Sequence, residues 1–255
     1  MRMLGPFCFC ALFVAGMWAF ESIGWTAEAR SVEGLAWHNP IAAGKTLSIR
    51  NINGAITVTA ASGGDAEVRA QIRYRRSDPK DIRFEVKSDE RGTTLCALWP
   101  GMEHCEGRNV SNSNDQNDLE VVFEVRLPAG VRADVVTVNG AVDVRGATTE
   151  VNAATVNGDV RVDSQATPLR AETVNGRIDV RIRDLEGDGS VRLASVNGDI
   201  TAQLPARFDA EVTARTVSGT ISILGKEYQE RVRTTVGRGG RKVSAQNVNG
   251  SIAIR

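Results

Sequence analysis

The chain has 255 residues, of which 25 are glycine and only 5% aromatic, and its 31 basic side chains balance 31 acidic ones for a formal charge of zero. That length can bury a real core in one large domain or two small ones. The charge balance leaves no excess of Lys and Arg for a basic groove, so no nucleic-acid partner is expected.

Arg2 is followed by an apolar stretch from Met3 to Phe20, then by Thr26-Ala27-Glu28-Ala29, which offers a small-residue cleavage site before Arg30. Residues 1–29 therefore read as an export signal. The run also approaches bilayer-spanning length, so an uncleaved anchor holding the chain near a membrane is the alternative. Cys8 and Cys10 lie inside it, and Phe7-Cys8-Phe9 lacks the pattern of a lipid-attachment site.

Residues 30–128 form a first β region. After a lead-in with Trp37, His38 and Pro40, apolar residues alternate at Leu47, Ile49, Ile56 and Val58, and again at Val68, Ala70 and Ile72 beyond the turn Ser62-Gly63-Gly64-Asp65. Period-two alternation marks half-buried strands. Ile82, Phe84 and Val86 repeat the scheme after Asp78-Pro79. Between residues 88 and 118 it fails. This stretch holds Cys96, Trp99-Pro100-Gly101, Cys105 and a polar run from Ser111 to Asp118, and it reads as a surface loop. Export implies an oxidising compartment, so Cys96 and Cys105 are expected to pair locally, which would contribute about 2–3 kcal/mol. A metal or dithiol reading with His104 has the wrong spacing. Alternation resumes from Leu119 to Leu127.

Residues 129–255 carry a repeat. Val-Asn-Gly followed by alternating branched residues recurs at Asn139-Gly140, Asn157-Gly158, Asn175-Gly176, Asn197-Gly198 and Asn249-Gly250, with Ser218-Gly219 as a variant and Asn53-Gly54 as an outlying copy. Asn and Gly tolerate left-handed backbone angles, so each copy is a corner; Val142 and Val144, or Val160 and Val162, then point inward. One such unit buries too little alone, and stacking makes a continuous core. The glycines at 140, 158, 176, 198 and 219 lie 18 to 22 residues apart. Returning to one turn at that interval predicts an all-β, single-stranded, right- or left-handed β-solenoid-like stack of two or three short strands per coil, with Asn-Gly corners. The rival is a β-meander or sandwich of type I′ hairpins. The longer gap before Gly250 reads as an insertion loop over 225–240, and Ser251–Arg255 as an open last strand through which oligomers could join. Stacked corners would align Asn139, Asn157, Asn175, Asn197 and Asn249 into an amide ladder.

Chemistry-bearing patterns are sparse. His38 and His104 have no second ligand at a metal spacing, and there is no nucleophile elbow, zinc helix motif, phosphate loop or dinucleotide fingerprint. No cofactor, metal or catalytic residue is assigned. Asp143, Asp159, Asp179 and Asp199 recur near one corner, which supports a carbohydrate-active enzyme as the alternative function, but Arg145, Arg161, Arg177 and Arg181 intersperse them.

The Val-Asn-Gly-x-Val/Ile-x-Val array, Leu127-Pro128-Ala129-Gly130 and the copy from Leu47 to Gly54 together resemble the DUF4097 family of bacterial adhesin candidates, over most of residues 45–255. The resemblance implies a β-solenoid-like, often envelope-associated protein and identifies no active site; the polar 96–118 insertion departs from it. The expected function is a non-enzymatic, exported structural, adhesin-like or protein-interaction module in the periplasm or at the cell surface. Its partner would be an envelope protein or a surface glycan, bound on a sheet face or the 88–118 loop.

Overall fold

The computed structural model describes residues 29–105, 118–165, 167–185 and 189–255. The export signal, up to residue 28, and most of the polar run after Cys105 lie outside the described residues. Apart from one 3-10 turn at Pro79–Asp81, the regular structure described is all strand, joined into a single mixed sheet.

The first region contributes β1 (Arg30–Pro40), β2 (Thr46–Arg50), β3 (Ile56–Ala60), β4 (Asp65–Tyr74), β5 (Arg83–Asp89), β6 (Gly92–Leu98) and β7 (Glu120–Leu127). The repeat contributes short strands in pairs: β8 (Arg132–Val136) with β9 (Val142–Ala147), β10 (Val151–Ala154) with β11 (Val160–Ser164), β12 (Leu169–Asn175) with β13 (Ile178–Ile182), and β14 (Val191–Asn197) with β15 (Ile200–Gln203). Two long strands follow, β16 (Ala210–Ile223) and β17 (Lys226–Val236), then β18 (Arg241–Gln246) and β19 (Ile252–Ile254).

Pairing sorts these strands into two parallel rows. The first runs β6-β2-β8-β10-β12-β14-β18-β16. The second runs β7-β3-β9-β11-β13-β15-β19-β16. Each coil thus has two strands, one per row, and a corner at each end. At the N-terminal end antiparallel strands are added: β5 on β6, β4 on β7, and β1 on β4. Residue 128 falls between β7 and β8, where two-strand coils take over without a break, and the Asn53-Gly54 corner stacks directly on Asn139-Gly140.

Register explains the core. Ile56, Val142, Val160, Ile178, Ile200 and Ile252 form one inward column of the second row, and all are 0% exposed. Leu47, Ala133, Val151, Leu169, Val191 and Val243 face them from the first row and are also buried. Fully burying such an aliphatic side chain contributes about 1.5–3 kcal/mol, but a lone coil leaves both its backbone edges unpaired, so stability accumulates only through neighbours.

Two strands fall where alternation is missing. The lead-in before Ile41 is β1, an exposed edge strand with a bulge between Glu33 and Leu35. β6 escapes alternation because both its faces are covered: Leu95 and Ala97 face the core, while Cys96 and Leu98 are buried on the other side.

The far end of the stack corrects two expectations. Residues 226–236, within the expected insertion loop, form β17, an antiparallel hairpin partner to β16. The strand expected to be open, Ser251–Arg255, is interior: β19 is bonded to β15 on one side and to β16 on the other. The coil of Gly250 therefore lies between those of Gly198 and Gly219, out of sequence order. The reason is that β16 runs 14 residues through both rows and turns back into β17, so the chain returns beneath it. End-to-end joining through Ser251–Arg255 is ruled out by those two partners. The exposed strand at that end is β17, whose Lys226, Glu227, Arg231 and Arg233 suit an edge that resists further pairing.

Candidate functional site

Chemistry-bearing side chains gather on three surfaces: the corner, the outer face of the second row, and the region around the cysteines. At the corner the amide ladder is formed. Nδ2 of Asn139 donates to Oδ1 of Asn53 at 2.6 Å, and the same bond at 2.8 Å links Asn157 to Asn139, Asn175 to Asn157, Asn197 to Asn175 and Asn249 to Asn197. Ser218 stacks beyond Asn249.

The glycines are required by closeness as well as by turning. A Cβ on Gly158 (φ 158°) would lie 2.2 Å from the carbonyl oxygen of Gly140, and one on Gly176 would lie 2.0 Å from that of Gly158. Gly198, Gly219 and Gly250 approach a neighbouring glycine carbonyl in the same way, and Gly54 approaches Val121 O.

Reading the motif as Val-Asn-Gly missed the residue before the valine. Asn51, Thr137, Thr155, Thr173, Ser195, Thr216 and Asn247 occupy that position, and all are buried. Asn51 donates to Val121 O at 2.8 Å, and the others donate to the carbonyl of the adjacent coil's glycine: Thr137 to Gly54 at 3.1 Å, Thr155 to Gly140 and Thr173 to Gly158 at 2.9 Å, Ser195 to Gly176 at 3.3 Å. Thr216 serves Gly250 at 3.0 Å, and the Asn247 amide serves Gly198 at 2.7 Å. A carbonyl turned inward at a tight corner needs a donor, because a buried unpaired acceptor is costly. The signal was present in the sequence, since every copy carries Thr, Ser or Asn there. The valine between points outward: Val156, Val174, Val196 and Val248 are 38–40% exposed and Val217 65%.

The aspartates singled out in the sequence separate into two columns on the second row. Asp159 and Asp199 sit at the corner and accept backbone N–H groups of the next coil, from Arg177 at 2.9 Å and from Ser251 at 2.8 Å. Asp143 and Asp179 lie on the flat face with Arg161 between them. Arg145 pairs with Asp143, and Arg161 with Asp159 at 3.1 Å. Arg183 makes two bonds to Asp163, 3.0 and 2.9 Å, which hold that carboxyl below the usual carboxylate range. A glycosidase acid needs the opposite shift. Asp143, Arg145, Arg161, Asp163, Asp179 and Arg181 line a shallow depression there.

Cys96 and Cys105 are joined in a disulfide across the outer face of the first row. Glu85, beside Cys96 on β5, accepts the Cys105 N–H at 2.6 Å and also meets Lys87 and His104, each at 3.1 Å. The backbone bond from Cys105 is the main reason that its carboxyl is held down to about 2. Arg50, Lys87, Ser88, Asp89 and Thr94 surround an adjacent depression. His38 meets Asp65 at 3.2 Å, so both histidines have local partners. Among the described residues no group of three or more His, Cys, Asp and Glu is placed to hold a metal ion.

Comparison with known proteins places this geometry. No curated protein matches the chain. Among solved structures, it is similar to a candidate cell adhesion protein from Clostridium sporogenes ATCC 15579, with 12% identity, TM-score 0.51, and coverage of 89% of this chain and 99% of that one. A candidate adhesin from Bacteroides fragilis NCTC 9343 aligns over 89% of this chain and 97% of its own at 14% identity, with TM-score 0.39. The first of these likenesses shows a shared fold. The sequence profile described as Toastrack DUF4097 matches residues 45–255, from the first strand of the stack to the last, and the chain belongs to that family.

Proposed function

We propose that the protein is a non-enzymatic, exported module of the cell envelope, an open β-solenoid that presents flat faces to an envelope protein or a surface glycan. In this reading residues 1–29 direct export, 30–128 form a disulfide-bearing N-terminal region, and 129–255 extend the stack. The periplasm or the cell surface is its place of action. The observation that carries the reading is the in-register outer face of the second row. Its side chains repeat at the strand spacing, about 4.8 Å, on a surface built for contact rather than enclosure. The candidate cell adhesion protein of similar fold supports the same role. The disulfide supports passage through an oxidising compartment.

The test uses the purified protein with isolated envelope fractions and with a panel of surface polysaccharides, following both retention and the release of reducing ends. Retention without release is expected. Release of reducing ends that is lost in Asp143→Asn or Asp179→Asn would instead establish the carbohydrate-active alternative. N-terminal sequencing of the exported protein should begin at Arg30; a chain still beginning at Met1 would establish the anchor.

A further inference from the structure

The outer face of the second row holds a charge pattern that neither corner nor core requires. In-register pairing sets Asp143, Arg161 and Asp179 in one column and Arg145, Asp163 and Arg181 in the next. The sign alternates up the stack and along every strand. Most of these charges are already engaged: Arg145 with Asp143, Arg161 with Asp159, and Asp163 with Arg183. On β13 the arrangement differs. Arg181 spends two bonds, 2.9 and 2.7 Å, on the neutral amide oxygen of Gln203, and Asp179 makes no ion pair among the described residues. Both are exposed. One level of an otherwise neutralised face therefore offers an acid and a base, side by side.

We propose that this face, when it is not held by the partner proposed above, docks a second copy of the chain about a twofold axis that runs along the stack, between the two columns. Rotation about that axis exchanges the columns at constant height. Asp179 of one copy then faces Arg181 of the other, twice over, and each further level matches opposite signs as well, Asp143 with Arg145 and Arg161 with Asp163. A twofold axis along β11 would instead set Arg161 against Arg161 and Asp143 against Asp179, and one midway between β11 and β13 would leave Asp143 and Arg145 against the neutral Thr201 and Gln203, so the axis along the stack is the one that matches all three charged levels. Thr57 and Thr59 below, and Thr201 and Gln203 above, continue the face with neutral polar groups. Arg177 and Arg183 meet at the rim, where long side chains turn to water. Five strands at about 4.8 Å by five residues at about 3.3 Å give a footprint of roughly 400 Å² per copy, about half of a standard interface. The dimer is therefore weak, reversible and salt-sensitive. Its two copies run in the same direction, with both β1 strands at one end.

Sedimentation velocity on the full chain over rising concentration tests this. Reversible growth from monomer to dimer is expected, weakening as salt is raised. Asp179→Arg creates two like-charge contacts and should raise the dimer Kd by about tenfold or more, and Arg181→Asp should do the same. The double variant D179R/R181D exchanges the signs and should return Kd to within about threefold of the parent. Thermal melting serves as the folding control for these exposed sites. A parent that stays monomeric at every concentration, a dimer indifferent to salt, or a double variant that melts normally yet dimerises no better than the single ones would overturn the proposal.

Discussion

Replacing Thr155 by Val keeps the shape of a buried side chain and removes only its hydroxyl. That hydroxyl sits 2.9 Å from Gly140 O and 3.3 Å from Val138 O. Val138 O keeps other donors, the N–H groups of Val156 at 3.2 Å and Asn157 at 2.7 Å. Gly140 O depends on Thr155, so the substitution leaves a carbonyl unpaired inside the corner. The expected cost is about 1–3 kcal/mol, the desolvation penalty of a buried acceptor without a partner. With a urea m-value of about 2–3 kcal/mol per M, the unfolding midpoint should fall by roughly 0.3–1.5 M at unchanged m. Thr155→Ser is the control, because Ser195 already does this work for Gly176. It keeps the donor, loses one methyl, and should cost less than about 1 kcal/mol. Equilibrium urea unfolding followed by circular dichroism measures both. A Thr155→Val protein as stable as the parent, or a Ser variant as damaged as the Val variant, would refute the role given to the hydroxyl.

Gly158→Ala brings a methyl against backbone that cannot rotate away, 2.2 Å from Gly140 O, and should destabilise by about 2–4 kcal/mol in the same unfolding assay. Asn157→Asp removes the donor to Asn139 and sets two acceptors against each other, so it should cost about 1 kcal/mol at neutral pH. Protonating the new carboxyl restores a donor, so that loss should shrink in acid, which midpoints measured at two pH values would reveal. Glu85 is held down from 4.5 to about 2 in the folded protein. A depressed carboxyl stabilises the fold above its unfolded pKa and loses that contribution as pH falls through the folded one. Glu85→Gln should therefore flatten the fall in stability between pH 4.5 and about 2, and an unchanged acid limb would contradict the bond from Cys105.

The corners and inward columns were legible because each copy repeats the same two demands: a glycine where backbones touch, and branched side chains at alternate positions after it. The amide ladder followed from stacking them. The donor before the valine stands in every copy, as Thr137, Thr155 and Thr173 show, but a threonine before a strand break carries no signal until the inward glycine carbonyl is known. β6 was hidden because the disulfide covers its second face and erases alternation. β17 was hidden by its charges, which an edge strand carries for its own protection. The checkerboard was half visible. Spacing gave the aspartate columns, but the availability of Asp179 and Arg181 depends on which neighbours the arginines reach.

The placement of the Gly250 coil bears on the order in which the molecule can be completed. During synthesis, β16 emerges before the segment that separates it from β15, and its Ile221 and Ile223 offer the same apolar spacing as the Ile252 and Ile254 that finally lie there. Until β19 is in place, β16 can therefore lie directly on β15, one level too low. Reaching the native arrangement then requires that early pairing to open and a later segment to slip between. The last level is thus one where the order of stacking departs from the order of synthesis, as it does at the other end, where β2 and β3 lie between β6–β7 and β8–β9.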